Sequence, residues 1–203
     1  MSAELKQKKK ITPEEYLELE EKAEYKSEYW DGVMVPLHGD PPELVGANIN
    51  HIQIVSNLTT LLSPLLRKRD CRVLPSEMKI WISKRGKFFY PDVVIICGKP
   101  HFVKDRKDVI ENPLVLIEVL SGSTEAKDRA EKFWSYQTLE SFQEYVLVSQ
   151  DRTVVEQFIR QTDGSWRYLA TIGIESTVTF ETIETTLQLQ DIYDLVEFEI
   201  EQL

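Results

Sequence analysis

A mixed α/β domain is expected, with a central sheet flanked by helices and a β-rich C-terminal extension. Three observations predict it. The stretches "FFYPDVVIICG" (88–98), "LVLIEVL" (114–120) and "EYVLVSQ" (144–150) are dense in Val, Ile and Leu, as buried strands are. An amphipathic stretch, "STEAKDRAEKFWSYQTLES" (123–141), separates the last two of these and reads as a helix. Beyond residue 152, "VVEQFIRQ", the turn "TDGS" and "WRYLATIG" read as a hairpin added to the sheet.

The elements follow in order. Thr12 as N-cap, Pro13 at the first helical position and Glu15 three residues after the cap start a helix over 12–24. "SEYWDGVMVPL" switches to extended chain, with Asp31-Gly32 as its turn, and "DPP" (40–42) breaks the pattern. From Ala47 to Arg69, Ile52, Val55, Leu58, Leu62 and Leu65 recur at helical spacing, and Pro64 either kinks that helix or begins another. "CRVLPSEMKIWIS" (71–83) is the first sheet strand, and 88–98 returns as its hairpin partner. Residues 99–113 form a polar excursion. A short strand near 177–180 and a helix near 189–196 close the chain.

The 203 residues, 42% hydrophobic, suit one core and one domain over 12–203. The charged opening "MSAELKQKKK" has no apolar stretch like that of a signal peptide, so 1–11 is expected to be a disordered basic start to a cytoplasmic protein. Cys71 and Cys97 lack metal-ligand spacing and are expected to be reduced and packed. His38, His51 and His101 are scattered, which argues against a zinc site. A net charge of −10 argues against indiscriminate nucleic-acid binding, although "RKRDCR", "SKRGK" and "KDRKD" are locally basic.

Two acids stand out in apolar strands, Asp92 and Glu118. An ionised carboxylate there is costly without a partner. If Arg85-Gly86 formed a two-residue hairpin loop, Asp92 would lie opposite Lys79 with Glu77 diagonally beside it. On the helix after the third strand, Glu125, Asp128, Lys132 and Tyr136 share a stripe at steps of three or four, and Phe133 and Trp134 are core candidates. That helix packs back on the sheet, so Lys132 is the natural cation for the strand acids. In the plainer alternative, Asp92 caps a strand end and Glu118 pairs with a residue such as Arg129. His51, near Val55 and Leu58, reads first as a core histidine.

"YPDVVIICG", "NPLVLIEVLSGSTEAKDRAEKFWSY" and "EYVLVSQD" resemble the Uma-family putative restriction endonucleases of the PD-(D/E)XK nuclease superfamily, over roughly residues 12–170. The resemblance implies a restriction endonuclease-like fold. It makes Pro91-Asp92 the PD, Glu118 the second acid and Lys132 the lysine. The superfamily lysine usually sits two residues after the acid, where this chain has Leu120, so Lys132 stands for a lysine moved to the next helix. The resemblance further implies Mg²⁺, with Mn²⁺ as an alternative, held by Asp92, Glu118 and the Val119 backbone carbonyl. Support would come from Glu77, Asp128, Glu28, His51 and Tyr136. The expected activity is metal-dependent hydrolysis of DNA phosphodiester bonds by a homodimer, because cutting both strands calls for two sites. The alternative is a catalytically weak nucleic-acid- or protein-binding module that retains the fold. A glycosidase built on the two acids fits poorly with a lysine partner.

Overall fold

The computed structural model describes residues 10–37, 48–104, 106–122 and 125–198. Most of the basic start, the break at 40–42 and the first two residues of the expected helix 123–141 lie outside the described residues. Helix α1 (Pro13–Glu20) begins with the expected reciprocal cap: Glu15 N donates to Thr12 Oγ1 at 3.1 Å and Thr12 N donates to Glu15 Oε2 at 2.7 Å. Strands β1 (Ser27–Trp30) and β2 (Val33–Pro36) form a hairpin whose two loop residues, Asp31 and Gly32, have φ of 48° and 98°. Such left-handed pairs match the twist of the flanking strands.

Helix α2 (Ile49–Leu66) runs through Pro64 without breaking. Its buried face is Ile54, Val55, Leu58, Leu62 and Leu66, while Ile52 and Leu65 are 57% and 49% exposed. The buried stripe is therefore rotated from the expected one. Counted back from Leu62 through Leu58 and Val55 it reaches His51, which the rotation turns toward the sheet.

The run 71–98 is one hairpin in sequence but serves two sheets. Strands β3 (Cys71–Pro75) and β6 (Val93–Cys97) pair in one sheet; β4 (Lys79–Ile82) and β5 (Lys87–Phe89) pair in another. Ile82 faces Lys87 and Ile80 faces Phe89, so the connecting loop has four residues, Ser83 to Gly86, rather than two. Ser83–Arg85 makes a 3-10 turn and Gly86 takes φ 60°. Facing residue numbers sum to 169 in β4/β5 but to 168 in β3/β6, where Pro75 faces Val93. The one-residue offset falls at Ser76, with φ 37° and its N–H donating to the Asp92 carbonyl at 2.8 Å. A bulge of this kind bends a strand and re-aims its side chains.

Strand β7 (Val109–Ile110) lies within the polar excursion and pairs in parallel with β4. Strands β8 (Val115–Leu120) and β9 (Glu144–Ser149) are parallel neighbours. Between them the chain crosses over through α3 (Glu125–Lys127), a π-helical stretch (Asp128–Lys132) and α4 (Phe133–Tyr136), ending short of residue 141. The tail supplies β10 (Val154–Arg160) and β11 (Trp166–Ile172) as the expected hairpin, then β12 (Thr177–Phe180) and β13 (Thr185–Gln188). The terminal helix α5 (Leu189–Ile192) is only one turn.

The large sheet has the order β11-β10-β9-β8-β6-β3, and a second sheet has the order β2-β1-β5-β4-β7. Alternation along the strands divides the core. Val93, Ile95, Val115, Ile117, Val146 and Val148 pack with α2, α5 and the β12/β13 hairpin. Val94, Ile96, Leu116, Leu120, Tyr145 and Leu147 pack with Phe133, Tyr136 and the second sheet's Ile80, Ile82 and Phe89. Glu118 sits between Leu116 and Leu120 on that second face. Trp134, expected in the core, is 64% exposed. Lys132, Phe133 and Tyr136 already fill the inward arc of the helix.

Cys71 and Cys97 are not reduced: they face each other across β3 and β6 and form a disulfide, with Cα atoms 4.0 Å apart. Direct opposition on neighbouring antiparallel strands brings the two side chains together, which spacing in the sequence does not reveal. Among the described residues no helix is long and apolar enough to cross a membrane.

Candidate active site

Strands β6 and β8 run antiparallel with Val93 opposite Ile117, so one further step of the ladder sets Asp92 against Glu118. Contacts tie them together: Val119 N–H, next to Glu118, donates to Asp92 Oδ2 at 2.7 Å. The Val119 amide thus meets Asp92. Asp92 Oδ1 lies 3.0 Å from His51 Nε2, which projects from the first turn of α2. His51 is therefore part of this site rather than a histidine satisfied within the helix's apolar stripe.

Glu118 is buried, 3% exposed, and accepts from Lys132 Nζ at 3.3 Å and from Tyr136 Oη at 3.2 Å. Lys132 Nζ also lies 3.0 Å from Asp128 Oδ1 and 3.1 Å from Glu28 Oε1. Both partners are buried. Glu28 arrives from β1, where its Oε2 also accepts from Trp30 Nε1 at 3.1 Å. The lysine further lies 5.9 Å from the centre of the Phe89 ring, on whose electron-rich face a cation is favoured.

The π-helical stretch explains which helix residues reach the site. Its wider turn starts at Asp128 and ends at Lys132, bringing both inward. Single π turns in helices are frequent at functional sites. The change of pitch turns Glu125 away, so it pairs with Arg129 at 2.7 Å instead of extending the stripe. Arg129 also binds Glu156, and so is not the partner of Glu118.

Two expected members lie elsewhere. Glu77 follows the bulge, points outward and pairs with Lys26. Lys79 faces Tyr90 rather than Asp92, because the longer loop shifts the register by two; it pairs with Asp108 at 2.7 Å and donates to Tyr90 Oη at 3.1 Å. The sequence signal for His51 was its spacing of four and seven residues from Val55 and Leu58, read as packing when it also marks the helix end nearest the strand acids.

Four carboxyl groups (Glu28, Asp92, Glu118 and Asp128) thus gather around one lysine and one histidine. Burial pushes the Glu118 carboxyl well above its usual range; Lys132 opposes this, while Asp128, Asp92 and Glu28 add to it. Burial works against the charge of Lys132, but Glu118, Glu28 and Asp128 outweigh it and hold the ammonium well above its usual value. His51 is likewise desolvated, yet its bond to Asp92 raises it overall. Glu28 Oε1 and Asp128 Oδ1 are buried and lie off the hydrogen-bonding directions of the ammonium they adjoin.

This donor set fits a hard cation. It offers carboxylate oxygens in excess over the protein's own positive charge, and Mg²⁺ takes one or two such ligands while keeping several waters. Among the described residues no three His, Cys, Asp or Glu side chains form one ligand cage, so a cation held here would take few protein ligands and keep most of its waters.

Comparison with known proteins agrees with the architecture. A crystal structure of a putative nuclease belonging to DUF820 from Anabaena variabilis superposes with a TM-score of 0.72, covering 90% of this chain and 97% of that one at 16% identity. Two uncharacterized proteins of Synechocystis sp. are 33% identical over 170 residues and 36% identical over 162. The first match covers 84% of this chain and 92% of the relative; the second covers 79% and 80%. The Uma2 model, described as putative restriction endonuclease, matches residues 13–191, and over that length the chain belongs to the Uma2 family.

Proposed function

We propose that this chain is a metal-dependent endonuclease that hydrolyses phosphodiester bonds in DNA, using Mg²⁺ or Mn²⁺, with its nuclease unit over 12–203. The observation that carries the reading is the convergence of Asp92 and Glu118, from adjacent strands, with a buried Lys132 on the helix that follows. Asp92 and Glu118 would hold the cation, with the Val119 carbonyl as a further ligand. When bound, that ion supplies Lewis-acid polarisation of the phosphate and a lower pKa for bound water.

The remaining work belongs to the side chains. Lys132, kept protonated by its three acids, orients the attacking water and offsets charge growing on the phosphate oxygens. Glu28 and Asp128 fix the ammonium in place. Tyr136 orients Glu118 and His51 orients Asp92. Such outer partners matter because a misplaced ligand loses much of its value.

The test is a cleavage assay on plasmid and single-stranded DNA with Mg²⁺, Mn²⁺ and EDTA arms. Cleavage is expected with either metal, none with EDTA, and none for Asp92→Asn. A wild-type chain that neither cleaves nor gains thermal stability from Mg²⁺ or Mn²⁺ would overturn the nuclease reading in favour of a binding module.

A further inference from the structure

Among the described residues strand β11 ends the large sheet and pairs only with β10. Natural edge strands are usually short, charged, bulged or covered, because their outer row of N–H and C=O groups pairs readily with another strand. Strand β11 has few such defences. It is seven residues long, contains no proline, and pairs with β10 in unbroken register from Ile172 to Trp166. Tyr168, Leu169 and Ile172 are 51%, 37% and 67% exposed, so apolar side chains stand open on both faces.

The charge pattern points to the occupant. The chain carries a net −10, which sets copies against one another, yet residues 164–174 ("GSWRYLATIGI") contain no acid. The single cation there, Arg167, is neutralised within its own chain by Glu181. Two copies of this strand can therefore approach without opposing like charges.

We propose that β11 is the interface with a second copy of this chain, the two strands pairing antiparallel about a two-fold axis at Leu169. An antiparallel edge pair is self-complementary and closes as a dimer, leaving no further edge of the same kind. With Leu169 opposite itself, Tyr168 faces Ala170, Arg167 faces Thr171 and Trp166 faces Ile172. No charged pair is opposed in that register. The two large sheets become one, and seven strand spacings, three inside each copy and one across the axis, place the β8 strands about 34 Å apart. The inference rests on the sheet edge and stands whether or not the chain cleaves DNA.

The test uses the full chain in analytical ultracentrifugation from micromolar to millimolar concentration. A dimer is expected for the wild type. Leu169→Lys, which sets two ammonium groups face to face at a partly exposed position, is expected to run as a monomer with its circular-dichroism melting curve retained. Leu169→Cys tests the register without relying on that variant's fold. It is expected to form an intermolecular disulfide under mild oxidation, whereas Ile172→Cys, facing Trp166, does not. A wild type that stays monomeric throughout, a dimer that survives Leu169→Lys, or a dimer in which Leu169→Cys fails to cross-link would each overturn the proposal.

Discussion

Replacing Lys132 by Met removes the ammonium shared by Glu28, Glu118 and Asp128 and leaves an unbranched side chain one atom shorter. All three carboxyl groups are at most 5% exposed. Breaking a buried ion pair by deleting one partner costs about 3–5 kcal/mol, because the other charge stays desolvated. In a chain of this size that is a fall in Tm of about 6–20 °C. The loss should depend on pH, with a sign fixed by Glu118. Its folded-state pKa already lies above the ordinary 4.5, and removing the ammonium raises it further. A group raised in the folded state contributes stability that is present below its unfolded value and lost as pH climbs through its folded value. Wild type and variant share the unfolded value, so the variant's deficit stays level until the pH passes the raised folded-state value of wild-type Glu118 and grows above it. In the wild type Lys132 is itself raised above 10.5, so its contribution persists up to that pH and fades only above it. Urea unfolding of both proteins across a pH series measures the difference. A loss below about 1 kcal/mol with no pH slope would refute the reading of Lys132 as the cation that holds this cluster together.

Further outcomes follow from single contacts. Asp92→Asn should abolish Mg²⁺-dependent thermal stabilisation while leaving the metal-free fold intact, read by melting with and without Mg²⁺. Tyr136→Phe removes only the hydroxyl that donates to buried Glu118, and denaturant titration should show a loss of about 1–3 kcal/mol. Gly32→Ala should cost about 1–2 kcal/mol, since φ is 98° and the added methyl would stand 3.0 Å from Lys10 Cβ. Replacing Cys71 and Cys97 together by Ser opens a loop of sequence separation 26, and urea unfolding should register a loss of about 3.5 kcal/mol on the chain-entropy model.

Much of this molecule was legible locally. The Thr12 cap, the Asp31-Gly32 hairpin and the β8–helix–β9 order each follow from residues a few positions apart, where backbone preference and side-chain period act directly. The same reach put Asp92, Glu118 and Lys132 in one neighbourhood, because the two acids lie on strands that the sequence marks as buried and the lysine on the helix leaving one of them. Other features depended on single-residue offsets. Both arms of the run 71–98 read as strands, so nothing in its composition says that it changes sheet at Ser76, yet that bulge sends Glu77 outward, and the four-residue loop moves Lys79 away from Asp92. The π-helical stretch likewise turns Glu125 away and keeps Asp128 and Lys132 inside. Glu28 and His51 reach the site from β1 and α2, far away in sequence, by the pairing of β1 with β5 and the rotation of α2 on the sheet. A change of one residue in register exchanges the buried and exposed faces of a strand, and the choice between them is made by packing against distant elements.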